Sequence, residues 1–338
     1  MSGLRPMQSR FQRSSSAVGL RDAVSQEEDP FTGAQYAASH EGMPAPDQSP
    51  VKTTPFPDSG PRATFTGEER KAMQGEAETW HHGLIAKWWA EFNDDFRPHE
   101  VAYFQRFIER GGEPALDVGC GTGRLLIPYL RAGLDVDGCD VSADMIALCR
   151  EKAARAGLSP HLSVQPMHEL HPPRKYRTIL ACGAFGLGST RAQDCEALCR
   201  FHDFLEPGGT LLVDVEVPYA DANYWRLWLK GERALLGEMK TSEGRKTASD
   251  GSEIVLGSRI TAADPLEQRV TIQMHAEQRR DGALLSEEDH VLNMGLYFKN
   301  ELLMMLERAG FTRVEVQGDH NDAPATSDDD FIVFVARK

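Results

Sequence analysis

The chain lacks any apolar run of about 18 residues or more, so no helix is expected to cross a membrane. It also lacks an excess of positive charge. Lys and Arg total 37 against 51 Asp and Glu, a net charge of −14. Unspecific binding to a phosphate backbone needs a cationic face, so no DNA is expected as a partner. No CxxC pair occurs among Cys120, Cys139, Cys149, Cys182, Cys195 and Cys199, and no zinc-ligand spacing repeats. No metal site is expected. Cysteines scattered between apolar neighbours fit reduced thiols in a reducing, cytoplasmic setting. Cys195 and Cys199, four apart on an expected helix, read as packing residues.

Apolar residues are scarce and aperiodic in residues 1–75, where Pro30, Pro44, Pro46, Pro50, Pro55, Pro57 and Pro61 fall. Such a segment cannot offset its ordering entropy and is expected to be a disordered leader. Arg5, Arg10, Arg13, Arg21 and Ser14 to Ser16, with no acid before Asp22, also match an organelle transit peptide. A mitochondrial location is the alternative that this composition leaves open.

Order is expected from Glu76 to Lys338. Leu84, Ile85, Trp88, Trp89 and Phe92 have helical spacing. A second helix is expected from Pro98 to Arg110, ended by Gly111-Gly112. Ala115-Leu116-Asp117-Val118 suits a buried parallel strand, and Gly119-Cys120-Gly121-Thr122-Gly123 follows it. Leu134 to Cys139 reads as a second strand with Asp140 at its carboxyl end. Ser142 can then cap a helix from Ala143 to Ala156.

This unit places glycines where a ligand can lie against main chain, at the strand ends where open α/β sheets bind ligands. An acid closing the next strand can accept ribose hydroxyls. A dinucleotide fingerprint would need glycine at position 124, which is Arg124. No Lys-Ser/Thr pair follows the glycines, so this is no phosphate-binding P-loop.

The run Leu116 to Gly123 resembles motif I of the class I S-adenosylmethionine-dependent methyltransferases. The resemblance implies a doubly wound, seven-stranded Rossmann-like α/β sheet and S-adenosyl-L-methionine as methyl donor. It implies cofactor contacts from Asp117, Gly119, Cys120, Gly121, Gly123, Asp140, Val141, Met145, Met167, His168 and Ala181. Asp140 falls where the family keeps its ribose-binding acid, and Met145 where an apolar residue packs on adenine. Leu205-Glu206-Pro207-Gly208-Gly209 resembles the family's turn into its fifth strand. The expected closing strands at Arg313 to Gln317 and Phe331 to Ala336 resemble its antiparallel pair. The family's usual acid after the third strand is missing from Val164 to Leu170, where Met167, His168 or Glu169 would have to serve the adenine.

Residues 218–297 read as a substrate-side insertion. Ile254, Leu256, Ser258 and Ile260 share one face of a strand, and Val270, Ile272, Met274 and Ala276 one face of the next. Val291, Asn293, Gly295 and Tyr297 share a face of a third. Asp264-Pro265 and Asp281-Gly282 mark turns, so an antiparallel meander is expected. It is also a candidate homodimer contact. Methyl transfer needs alignment and water exclusion, and a base only when the acceptor arrives protonated. Candidate catalytic residues are His82, Tyr224, His290 and Tyr297; one of Asp214 and Glu216 is expected to line the acceptor pocket.

The function expected is methyl transfer to N or O of a small-molecule acceptor. The alternatives are a tRNA or protein methyltransferase using the leader's arginines, or a non-catalytic cofactor-binding protein. The glycine spacing disfavours a nicotinamide-dependent oxidoreductase.

Overall fold

The computed structural model describes residues 79–92, 98–220, 222–232, 240–241 and 246–338. The leader at 1–75 lies outside the described residues. Helices α1 (Gly83–Phe92) and α2 (Pro98–Gly111) precede an alternating core. That core runs β1 (Ala115–Val118), α3 (Leu126–Arg131), β2 (Val136–Asp140), α4 (Ala143–Arg155), β3 (Leu162–Val164), β4 (Tyr176–Ala181), α5 (Arg191–Phe204) and β5 (Leu205–Glu216). A short helix α6 (Ala222–Arg226) and strands β6 (Lys240–Thr241) and β7 (Lys246–Thr247) lead to the long strands β8 (Glu253–Asp264), β9 (Arg269–Arg280) and β10 (Ala283–Gly295). Helix α7 (Lys299–Ala309), β11 (Arg313–Gly318) and β12 (Phe331–Arg337) close the chain.

The main sheet has seven strands in the order β11-β12-β5-β4-β1-β2-β3. The five strands β5, β4, β1, β2 and β3 pair in parallel, while β12 is antiparallel to both β5 and β11. Order reverses between β1 and β4, which opens a crevice at their carboxyl ends. Both sheet faces are covered. Ile179, Ala181, Leu211 and Val213 pack with Leu198, Phe201, Leu302 and Leu306 of α5 and α7. Leu180, Leu212 and Val333 pack on the other face with Phe104, Ile108, Tyr129 and Ile146 of α2, α3 and α4. Burial on both faces explains why these strands read as continuous apolar runs.

The second sheet is the meander β10-β9-β8-β6, with β7 also on β8. Its apolar face, including Leu256, Ile272 and Leu292, packs against Trp80, Leu84, Ile85 and Trp88. Thus α1 supplies the cover that an isolated sheet would lack. Asp144 accepts from the Gly83 amide at 2.8 Å, and Glu288 from the Leu84 amide at 2.9 Å. Two otherwise orphaned amides at the start of α1 therefore tie the core to the meander. The loop after β4 is a second tie, with Gly188 N donating to Asn293 O at 2.7 Å and Gly295 N to Gly186 O at 2.8 Å.

Two expectations change. Arg124 to Ile127 read as the opening of the helix after the glycine loop, but it begins at Leu126, because turns occupy the loop as far as Leu125. The third meander strand buries Leu292 and Met294 and exposes Val291, and it stops at Gly295. Tyr297 therefore lies beyond the strand, buried beside α5.

Candidate active site

A chamber of about 280 Å³ opens at the carboxyl ends of β1, β4 and β5. The glycine loop and β2 form one wall. The loop after β4, the end of β5 and meander residues Ser258, Met274, Leu292 and Met294 form the opposite one. Thr79, Trp80, His81 and Trp89 close it from the α1 side.

Gly121 has φ +54°, and a side chain there would meet nothing within 4 Å, so the chamber reaches the bare main chain. Gly119 has φ +73°, and a Cβ would come within 2.3 Å of Ala184 Cβ. The loop is thus fixed by close approach on one side and left open on the other. Asp140 stands beside it. Its Oδ2 accepts from Gly121 N at 2.9 Å and its Oδ1 from Ser142 N at 2.8 Å. Burial pushes its carboxyl up from the ordinary range, and the two amides oppose that. Each oxygen keeps acceptor capacity for a hydroxyl.

Asp117 is the counterpart at the end of β1. Burial pushes its carboxyl up to about 7, Arg124 works against this and Asp140 adds to it. Its Oδ2 is buried and has no hydrogen-bond partner among the described residues. A buried orphan acceptor is costly unless a ligand donor completes it.

Of the expected cofactor residues, Asp117, Gly119, Cys120, Gly121, Asp140, Val141, Met145, Met167 and His168 all line the chamber. Gly123 and Ala181 do not. Gly123 faces α4, where a Cβ would lie 2.9 Å from Cys149 Sγ, so it serves close packing. Ala181 points into the core beneath α5, and strand alternation puts Cys182 at the chamber instead. His168 Nε2 lies 3.3 Å from Gln193 Nε2, and burial lowers its pKa. Glu169 is 64% exposed and does not line the chamber.

The catalytic candidates separate. His82 and His290 sit together with ring centroids 6.0 Å apart, on the tie between α1 and the meander, and neither lines the chamber. The His290 ring is engaged by Glu288 at 3.2 Å. His81, the neighbour of His82 in the chain and a candidate alongside it, does line the chamber. Burial and His82 lower His81 to about 4, and its ring bonds Thr79 Oγ1 at 2.5 Å and Trp80 Nε1 at 3.1 Å. Tyr297 lines the chamber, but its hydroxyl donates to buried Asp194 and its ring carries the Arg191 guanidinium at 3.9 Å. The side chain of Tyr224 lies outside the described residues. Asp214 and Glu216 both line the chamber, where one was expected.

Sequence reasoning did not find Glu100 and Arg124. They form a buried ion pair at 2.7 Å on the chamber wall. Arg124 replaces a dinucleotide-type glycine, and that departure was the available signal.

A methyltransferase domain family matches residues 115–209, which span β1 to the start of β5. A protein of Geobacillus sp. (strain WCH70) named as a methyltransferase is 23% identical over 69% of this chain and 88% of its own. The glycine/sarcosine N-methyltransferase of Halorhodospira halochloris is 24% identical over 77% of this chain and 89% of its own. Among solved structures, a sugar N-methyltransferase from Streptoalloteichus sp. ATCC 53650 superposes with a TM-score of 0.57 at 17% identity, covering 84% of this chain and 100% of that one. Residues 115–209 are thus a methyltransferase domain, and these matches, with the strand order and the glycine-loop chamber, support an S-adenosylmethionine-dependent methyltransferase of class I.

The chamber fits that donor. The open main chain at Gly121, the two acceptors of Asp140 and the orphaned Oδ2 of Asp117 suit a nucleoside that carries an ammonium group.

Proposed function

We propose that the chain methylates an amine nitrogen on a small, largely apolar molecule. The carrying observation is the charge of the chamber lining. Glu100, Asp117, Asp140, Asp194, Asp214 and Glu216 line it, and among the described residues Arg124 is the only Lys or Arg that does. At a pKa of about 4, His81 adds no charge at neutral pH. The rest of the wall is apolar, with Trp80, Phe185, Met274, Leu292 and Leu296. Such a lining favours a cation on a hydrophobic body over a neutral alcohol or an anion. The names of two similar proteins, a glycine/sarcosine and a sugar N-methyltransferase, support a nitrogen acceptor.

Asp140 would hold the ribose, Asp117 the ammonium of the donor, and Met145 and Met167 the faces of its adenine. Bound S-adenosylmethionine supplies an activated methyl group on a sulfonium. The chain's part is to orient the acceptor, exclude water and take up a proton. The apolar meander face and α1 serve exclusion, since together they cover the chamber.

The test has two arms. Calorimetric titration with S-adenosylhomocysteine, with NAD as control, is expected to show binding of the first alone. The S-adenosylhomocysteine complex is then titrated with cyclohexylamine and cyclohexanol, which share shape and differ in charge. Cyclohexylamine is expected to bind more tightly; equal binding, or tighter binding of the alcohol, overturns the amine reading.

A further inference from the structure

We propose that Asp214 is the carboxylate that receives the acceptor's ammonium, and that His320 behind it is a positioning residue sharing the proton the amine must lose. This rests on the amine reading above and goes further, by assigning the acceptor group and its proton.

His320 lies in the turn between β11 and β12, 106 residues from Asp214 in the chain. It has φ +53° and follows Asp319 at φ +38°, two successive non-glycine residues in the left-handed region. Such residues are costly and persist only where their surroundings over-determine them. Here the surroundings do so. Asp319 Oδ1 accepts from the amides of Asp330 and Phe331 at 3.0 and 2.9 Å, and its own amide donates to Phe331 O at 2.8 Å. The turn drives the imidazole inward until its side chain is 2% exposed. Rings of Tyr103, Phe104 and Phe331 surround it at centroid distances of 5.6, 5.6 and 5.9 Å.

The imidazole meets Asp214, with Nε2 2.9 Å from Oδ2. The other oxygen accepts from Gly183 N at 2.5 Å, and Cys182 Sγ donates to Oδ2 at 3.5 Å. Burial, followed by the charges of Asp214 and Glu100, keeps Cys182 a thiol. Asp214 is therefore held rigidly from behind while it lines the chamber. The ionisable groups facing the pair are His99, Glu100 and Tyr103 from α2, Arg124 from the glycine loop, and Cys182 after β4. Exposed His99, its ring centroid 6.1 Å from that of His320, borders the solvent side. Donor atoms of Cys182, Asp214 and His320 also lie close enough to share a metal ion, but the Arg124 guanidinium 4.0 Å from Cys182 Sγ opposes a second cation there.

The proton balance is simple. An acceptor R–NH3+ gives one proton to the Asp214–His320 pair. The electrons of that N–H bond stay on nitrogen as the lone pair that forms the new N–C bond, while the methyl's bond to sulfur breaks and leaves its electron pair on the sulfur of the departing S-adenosylhomocysteine. The pair gains one positive charge, and solvent removes the proton before the next turnover. The product leaves as R–NH2CH3+.

The experiment titrates the S-adenosylhomocysteine complex of the full chain with cyclohexylamine. Asp214→Asn is expected to weaken this binding roughly ten- to hundredfold, the worth of a charge-assisted hydrogen bond. Its affinity for S-adenosylhomocysteine should stay as in the parent. Acidification should weaken cyclohexylamine binding in the parent, since added protons compete with the ammonium for Asp214. In His320→Gln, which keeps a donor toward Asp214 but cannot share a proton with it, that loss should follow a different pH profile. In 15N-histidine spectra of the parent, the His320 ring should shift with cyclohexylamine and not with cyclohexanol, a readout that survives if a variant fails to fold. Unchanged binding in Asp214→Asn, a superimposable pH profile in His320→Gln, or an unmoved His320 ring overturns the inference while leaving the amine reading standing. Equal binding of the two probes to the parent overturns both.

Discussion

The wall built by the glycine loop and β2 comes from residues that lie between Asp117 and Met145. The opposite wall presents side chains from the loop after β4, the end of β5 and three meander strands. On the function proposed above, the first wall recognises what every turnover shares, so its geometry can be written into one short stretch of chain. On the same reading the second recognises what is particular to the acceptor, and it is assembled from segments far apart in sequence. The difference teaches that donor and acceptor recognition are separable here, and substitutions on one wall should leave the other working.

The largest effect is expected from Gly121→Val, which puts a branched side chain into the open chamber at φ +54°. Affinity for S-adenosylhomocysteine should fall by more than about a hundredfold in calorimetry, with a cooperative melt retained. Ile272→Ala attacks the packed meander core behind the other wall. Ile272 is 3% exposed beneath α1, and its truncation should cost about 2–5 kcal/mol in denaturant unfolding. Affinity of the folded protein for S-adenosylhomocysteine should not change, and a large change would mean that the walls are coupled. Asp140→Ala should weaken that affinity by roughly 1.5–3 kcal/mol.

Asp117 gives a smaller, pH-dependent effect. Its carboxyl stands at about 7 in the folded chain, above an unfolded value of about 3.9. The folded state therefore holds the extra proton. Its stabilising contribution is full below about pH 4 and is lost as pH rises through 7. Melts of ligand-free Asp117→Asn should lack this slope. A ligand ammonium favours the ionised form, so S-adenosylhomocysteine should bind more tightly, with proton release, as pH rises through 7. The smallest effect is expected from deleting residues 1–75. Turnover should stay within about twofold, since no expected site residue lies there; loss of activity would favour a macromolecular acceptor recognised through the leader's arginines.

The donor wall was legible because its signals are local. A four-residue apolar strand, spaced glycines and an acid closing the next strand occur in order between Ala115 and Asp140, so periodicity and turn chemistry locate them. Strand alternation could also have separated Ala181 from Cys182, although the motif alone did not. The acceptor wall was half legible. The meander and its Asp281-Gly282 turn followed from alternation, but the fate of each histidine did not. His82 and His290 looked reactive and are used to fasten α1, while His81 faces the chamber and His320 went unnoticed. Nothing local distinguishes these four residues, since the partners that define them come from other elements.

By itself the sequence determined the class of fold and the donor, because these depend on contiguous backbone conformation and on burial periodicity. Only the tertiary structure decided that Arg124 pairs with Glu100, that Tyr297 is tied to Asp194, and that Asp214 is backed by His320. These pairs span 24, 103 and 106 residues of chain. Charge partners at such separations are chosen by which strand ends and loops the sheet order brings together, and no local pattern encodes that choice.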